Sequence, residues 1–291
     1  MNKKLFLLTL ALTGCLGLSA QTAMPFIRFD RDPATSALGG AQAASSVWNP
    51  AITAVSGSSN VLASFQSWCP KGAKAMNLNL LGGVSFGKLG VTAVAAYQMG
   101  EAYPATGETG LAGEAITPFE SLIGVGVGYA FTEALSFGAN VKMASQGSGD
   151  GDSWNAFAAD LFLAYRSGDL KLTAGVSSLG TAVGDYALPA SATLGADYTK
   201  SFGTSGIKVV ADVDYYFKSG LCGAVGVQYA FKDMVYVRAG YHLGSQTAPT
   251  PSYFSTGFGV KFSGFHIDAS YLIAAANGIG GTFGLGLGYA F

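Results

Sequence analysis

Residues 119 to 131 alternate in side-chain size with a period of two. Phe119, Ser121, Ile123, Val125, Val127, Tyr129 and Phe131 occupy one parity, and Glu120, Leu122, Gly124, Gly126, Gly128 and Ala130 the other. Neighbouring side chains point to opposite faces in an extended strand, so the stretch predicts a β-strand with one bulky face and one nearly bare. The pattern returns where Phe283, Leu285, Leu287, Tyr289 and Phe291 oppose Gly284, Gly286, Gly288 and Ala290, and again from Leu221 to Phe231. A soluble antiparallel sheet would put charge and hydroxyls on its second face. Here the bulky face suits lipid and the bare one a crowded interior.

Such runs continue from Asn60 at 60–68, 75–86, 88–99, 118–131, 134–145, 154–166, 169–178, 188–199, 206–218, 221–231, 234–243, 252–263, 264–274 and 281–291. The number is even, and tight connections alternate with long ones at 100–117, 146–153, 179–187 and 244–251. The expected fold is therefore all-β: a transmembrane antiparallel β-barrel of about 14 strands, with short periplasmic turns and longer outer loops. Two connections fit less well, 200–205 being long for its side and 219–220 short. Aromatic residues closing the runs form an interfacial girdle, and Tyr289 and Phe291 resemble the C-terminal signal read by the barrel assembly machinery.

Composition sharpens this picture. Only 11% of the residues are charged, against roughly 25% in ordinary soluble domains, while 49% are hydrophobic, which suits a surface bathed in lipid. No segment has 18 uninterrupted apolar residues, so a closed barrel is the remaining way across a membrane. The net charge is -1 and the Lys and Arg residues are scattered, which excludes nucleic acid as a partner. Residues 1–20 have the basic, apolar and small-residue regions of a signal peptide, which exports the chain, and the barrel pattern then implies the outer membrane of a Gram-negative cell. Leu12 to Cys15 also fits a lipoprotein signal that would leave Cys15 lipidated. Cys69 and Cys222 can pair in an oxidising compartment or stay free.

By parity Lys142, Asp160, Lys171, Asp197, Lys208, Asp212, Asp214, Arg238, Lys261 and Asp268 point into the lumen. Residues 21–59 do not join the strand pattern and read as an N-terminal hatch or plug for the barrel of residues 60–291. Arg28 and Arg31 of that segment can meet the wall aspartates Asp160, Asp197, Asp212, Asp214 and Asp268, since buried charges are usually paired; a wet interior would accommodate the same charges unpaired. Asn49-Pro50-Ala51 reads as a fixed turn within the plug. His242 and His266 face inward near opposite rims, and the Gly-x-Gly runs lie within strands with no following helix. The loop 147–152 lacks the closing glutamate of a calcium loop. No enzyme activity, cofactor or metal is expected.

MPFIRFDRDPATSALGGAQAA followed by SSVWNPA resembles the N-terminal region of the PorV/PorQ family, placed with the FadL-like fourteen-stranded outer-membrane barrels. The resemblance implies that Asn49, Pro50 and Ala51 belong to a hatch folded into the lumen. It implies either a component or attachment site of type IX protein secretion, with secretion proteins as partners, or a conduit for a hydrophobic ligand. Outer-membrane lipid is a partner in both cases.

Overall fold

The structure, a computed structural model, describes residues 22–41, 43, 47–71, 74–106, 112–149, 151–245, 248–274 and 279–291. Residues 1–20, with Cys15, lie outside them. The strands are β1 (Asn60–Trp68), β2 (Ala75–Phe86), β3 (Leu89–Met99), β4 (Tyr103–Thr106), β5 (Ala112–Ile116), β6 (Phe119–Ala130), β7 (Leu135–Gly147) and β8 (Ser153–Ser167). They continue with β9 (Leu170–Gly180), β10 (Ser191–Phe202), β11 (Ser205–Tyr216), β12 (Gly220–Phe231), β13 (Val235–Leu243), β14 (Tyr253–Phe262), β15 (Phe265–Ala274) and β16 (Phe283–Ala290).

All except β4 and β5 form one closed antiparallel barrel in which neighbours in sequence are neighbours in space, and β1 closes on β16. This is a 14-stranded barrel. β4 and β5 pair only with each other, so the connection 100–117 carries a hairpin rather than an unstructured loop. Closure satisfies every strand edge internally, which a lipid-facing sheet requires.

Parity sorts the side chains as the pattern demands. Ile123 is 66% exposed on the outer face and Leu122 beside it 2% exposed on the inner, so one step along the strand crosses the wall. Outward-facing Leu78, Leu80, Val125, Val141, Leu194 and Val225 form an exposed apolar band of the kind that a transmembrane barrel presents to lipid.

One rim carries the tight connections 87–88, 131–134, 168–169, 203–204, 232–234 and 263–264; the other carries the longer ones. The 200–205 irregularity disappears because β10 runs on to Phe202 and β11 starts at Ser205. Lys200 and Ser201 break the apolar alternation there, yet both pair with β11. The 217–219 connection stays short for its rim.

The barrel closes at the tight-turn rim. Asn60 is the register partner of Ala290, and the Phe291 amide donates to the Ser59 carbonyl at 3.0 Å. Tyr289 packs its ring 4.7 Å from Phe265 and 5.8 Å from Phe291, an aromatic group at this rim of the kind that interfacial girdles are made of. Replacing Tyr289 and Phe291 together by Ser is expected to lower the amount of folded protein in the outer membrane several-fold. Quantitative immunoblotting of outer-membrane fractions checks this, and wild-type levels would contradict it.

A register shift interrupts one strand pair. Ala159 pairs with Leu179 but Leu161 with Val176, so Asp160 faces both Ser177 and Ser178, a β-bulge on β9. Ser178 adopts φ 58, the left-handed region a side chain rarely occupies, and the Asp160 carboxylate holds its amide at 2.7 Å.

Candidate functional site: the lumen and the N-terminal segment

Two short helices organise the described residues between 22 and 59. Asp32 caps Pro33–Ser36 by accepting the Ala34 amide at 2.8 Å, and Asn49 caps Pro50–Ser56 by accepting the amides of Ala51 at 3.1 Å and Ile52 at 3.4 Å. Each has proline at its first position, where the missing N–H costs nothing. Asn49-Pro50-Ala51 is therefore a helix start and not only a turn. The Asn49 side chain also donates to the Ala43 carbonyl at 2.9 Å, tying the helix to the chain before it.

These helices lie against the inward-facing glycines. A Cβ on Gly128 would collide with the Pro50 carbonyl, one on Gly240 with Leu38 and Gly39, and one on Gly124 would fall 2.7 Å from the Trp48 ring. Gly284 and Gly286 face Pro33. Gly126 and Gly288 are small for another reason: their neighbours are Asn140 with Thr92, and His266, all wall side chains. The Ser136 hydroxyl donates to the Ala51 carbonyl at 2.7 Å and Asn140 to the Trp48 carbonyl at 3.3 Å, so the wall satisfies backbone groups of the segment.

Ionic groups divide into two sets. Arg28 donates to Asp214 at 3.1 Å and to the Tyr216 hydroxyl at 3.3 Å, and Asp212 accepts the Ala43 amide at 2.8 Å; both aspartates stand on β11. The remaining wall aspartates take wall cations instead. Asp160 binds Lys142 at 2.7 Å, Asp197 binds Lys208 at 3.0 Å and Lys171 at 3.3 Å, and Asp268 binds Arg238 at 2.6 Å and His266 at 2.7 Å. Lys261 pairs with Asp233 at the rim, at 3.4 Å.

Arg31 corrects the sequence expectation. It meets no wall aspartate but donates to the carbonyls of Phe26, Ile27 and Phe29, because the 3-10 turn Pro25–Arg28 turns those oxygens toward it. Burial lowers its pKa to about 10. Asp30 beside it is pushed up to about 7, chiefly by burial and secondly by the neighbouring Asp32 carboxylate. His242 contacts the Gly39 carbonyl at 3.2 Å and His266 sits with Asp268, so the two imidazoles serve separate places. Cys69 and Cys222 are both free.

Between segment and wall lies a cavity of about 110 Å³. Leu62, Leu81 and Val94 are successive register partners across β1, β2 and β3, and with Leu122 on β6 they line one side. Met24, Phe26 and Ile27 pack on this patch. Phe29, Trp68, Tyr253 and Leu272 line another stretch, with Phe29 stacked on Trp68 at 4.2 Å. Arg28, Asp30, Lys142, Asp160, Asp212 and Asp214 supply its polar wall. Sequence reasoning missed the apolar luminal patch. Its one signal was Leu122, a large residue on an otherwise bare face.

The closed 14-stranded barrel has counterparts among solved structures. The fold is that of outer-membrane hydrocarbon channels. The toluene transporter TbuX of Ralstonia pickettii is similar with a TM-score of 0.59 at 13% identity, over 89% of this chain and 97% of that one. The toluene transporter TodX of Pseudomonas putida gives 0.55 at 13% identity, over 88% and 95%. The monoaromatic hydrocarbon channel CymD gives 0.55 at 14%, over 89% and 96%. These neighbours are named as transporters and channels, and at 13–14% identity the likeness is one of fold. No family model matches the chain, and no curated protein matches it either.

Proposed function

We propose that the chain is a conduit for small hydrophobic molecules across the outer membrane, with residues 1–20 as its signal peptide and residues 21–59 as a hatch that closes the lumen. The observation that carries this reading is the cavity between segment and wall. Its Leu62–Leu81–Val94–Leu122 patch is an apolar surface inside a barrel, where a water-filled pore would place polar residues. An apolar molecule entering it leaves water, at roughly 25 cal/mol per Å² of buried surface. The neighbours named toluene transporters support the same reading. They favour it over the attachment role in protein secretion that the N-terminal resemblance implies.

The test is equilibrium dialysis of the detergent-purified mature chain against radiolabelled toluene. Saturable binding above a detergent-only control is expected. Uptake that rises linearly and matches that control would sink the proposal.

A further inference from the structure

Two residues of the cavity wall, Asp30 and Gln66, each carry a buried acceptor oxygen without a partner among the described residues. Gln66 on β1 is 2% exposed; its amide nitrogen donates to the Asp30 carbonyl at 2.9 Å and to the Ser36 hydroxyl at 3.3 Å, which turns its oxygen the other way. That oxygen, Oε1, has no partner among the described residues. Asp30 repeats the arrangement. Its Oδ1 accepts the Thr35 hydroxyl at 2.6 Å and the Asp32 amide at 3.2 Å, while Oδ2 is buried without a partner among the described residues.

Leaving a buried acceptor bare is unfavourable, so native structures rarely keep one without a ligand, a water or a role for it. Two such atoms on residues already bonded to each other mark a place built to receive hydrogens. The surroundings define the rest of the molecule that fits. Phe29 and Trp68 stack at 4.2 Å, and Tyr253 and Leu272, each 3% exposed, line the same cavity as Asp30 and Gln66. The cations that line this space are already held, Arg28 by Asp214, Lys142 by Asp160 and Arg31 by the carbonyls of Phe26, Ile27 and Phe29. A carboxylate ligand would therefore find bare acceptors here and, among the described residues, no cation without a partner.

We infer that this end of the cavity selects small aromatic molecules carrying a hydrogen-bond donor, a hydroxyl or an amino group, over plain hydrocarbons. The inference rests on the conduit reading and narrows its substrate class. The donor hydrogen meets Asp30 Oδ2 while the ring lies among Phe29, Trp68, Tyr253 and Leu272; the second hydrogen of an amino group has Gln66 Oε1 as a further acceptor. A site with a buried acceptor discriminates against an isostere that lacks the donor, because that ligand leaves the acceptor bare.

The experiment compares phenol, toluene and benzaldehyde by equilibrium dialysis with the purified mature chain at pH 8, each corrected for its partition into detergent. At that pH the Asp30 carboxyl, pushed up to about 7, is mostly ionised and accepts. Phenol is expected to bind about tenfold more tightly than toluene, the scale of one recovered hydrogen bond. Asp30→Asn is the diagnostic variant. Its oxygen must stay where Thr35 and the Asp32 amide donate, so its NH2 group replaces the bare oxygen. The phenol preference should then fall to within about threefold, and benzaldehyde, which only accepts, should gain.

Saturable binding of phenol and toluene with equal affinity would overturn the inference while leaving the conduit reading intact. Saturable binding of neither would overturn both. An Asp30→Asn chain that folds, by its heat-modifiable gel mobility, and keeps the full phenol preference would overturn the role given to Asp30.

Discussion

Deletion of residues 24–56 is expected to leave a barrel that still inserts but conducts ions roughly tenfold or more above the intact protein in planar bilayers. Barrel closure depends on backbone pairing from β1 to β16, and none of those pairs involves the deleted residues. What the deletion removes is the material against the inward-facing glycines: Pro33 at Gly284 and Gly286, Leu38 at Gly226 and Gly240, Trp48 at Gly124 and Pro50 at Gly128. These contacts are on β6, β12, β13 and β16, with β6 and β13 opposite each other around the lumen, so their loss opens the lumen across its width. Single-channel recording decides the matter. Conductance unchanged by the deletion would mean that the segment does not obstruct the pore.

Asp160→Ala is expected to be the most damaging substitution in the wall. Lys142 and Asp160 have side chains 4% and 1% exposed, and the change leaves the buried lysine ammonium without its carboxylate. Breaking a buried pair in this way costs about 3–5 kcal/mol. The damage goes further, because Asp160 also holds the Ser178 amide in its left-handed conformation and so maintains the β9 bulge. Asp197 offers the contrast. Two lysines share it, each 20–24% exposed, so Lys171→Met leaves the carboxylate paired with Lys208 and should be much milder. Thermal unfolding followed by heat-modifiable mobility ranks the two variants, and equal melting points would contradict the argument.

Barrel parity is legible in the sequence because a wall one residue thick makes every residue declare its side. Ile123 and Leu122 do so within one step. Charge pairing is less legible. Asp214 meets Arg28, but Arg31 turns back onto its own carbonyls, since neighbouring backbone competes with any wall carboxylate and sequence does not rank the two. The bulge at Ser177 and Ser178 has no local signal: its cause, Asp160, lies across the strand pair. Nor does the apolar patch, because Leu62, Leu81, Val94 and Leu122 become adjacent only once register is known. The Asn49 cap falls between these cases. The affinity of the Asn side chain for nearby backbone is readable, whereas the helix it starts, Pro50–Ser56, is too short to show a period.

A barrel that carries small hydrophobic molecules across the outer membrane raises the initial rate of radiolabelled toluene uptake by Gram-negative cells that lack their own hydrocarbon channels. Cells carrying the intact chain are expected to take up toluene faster than cells without it, at a rate that saturates with concentration. Equal rates at confirmed outer-membrane levels of folded protein would rule the conduit out.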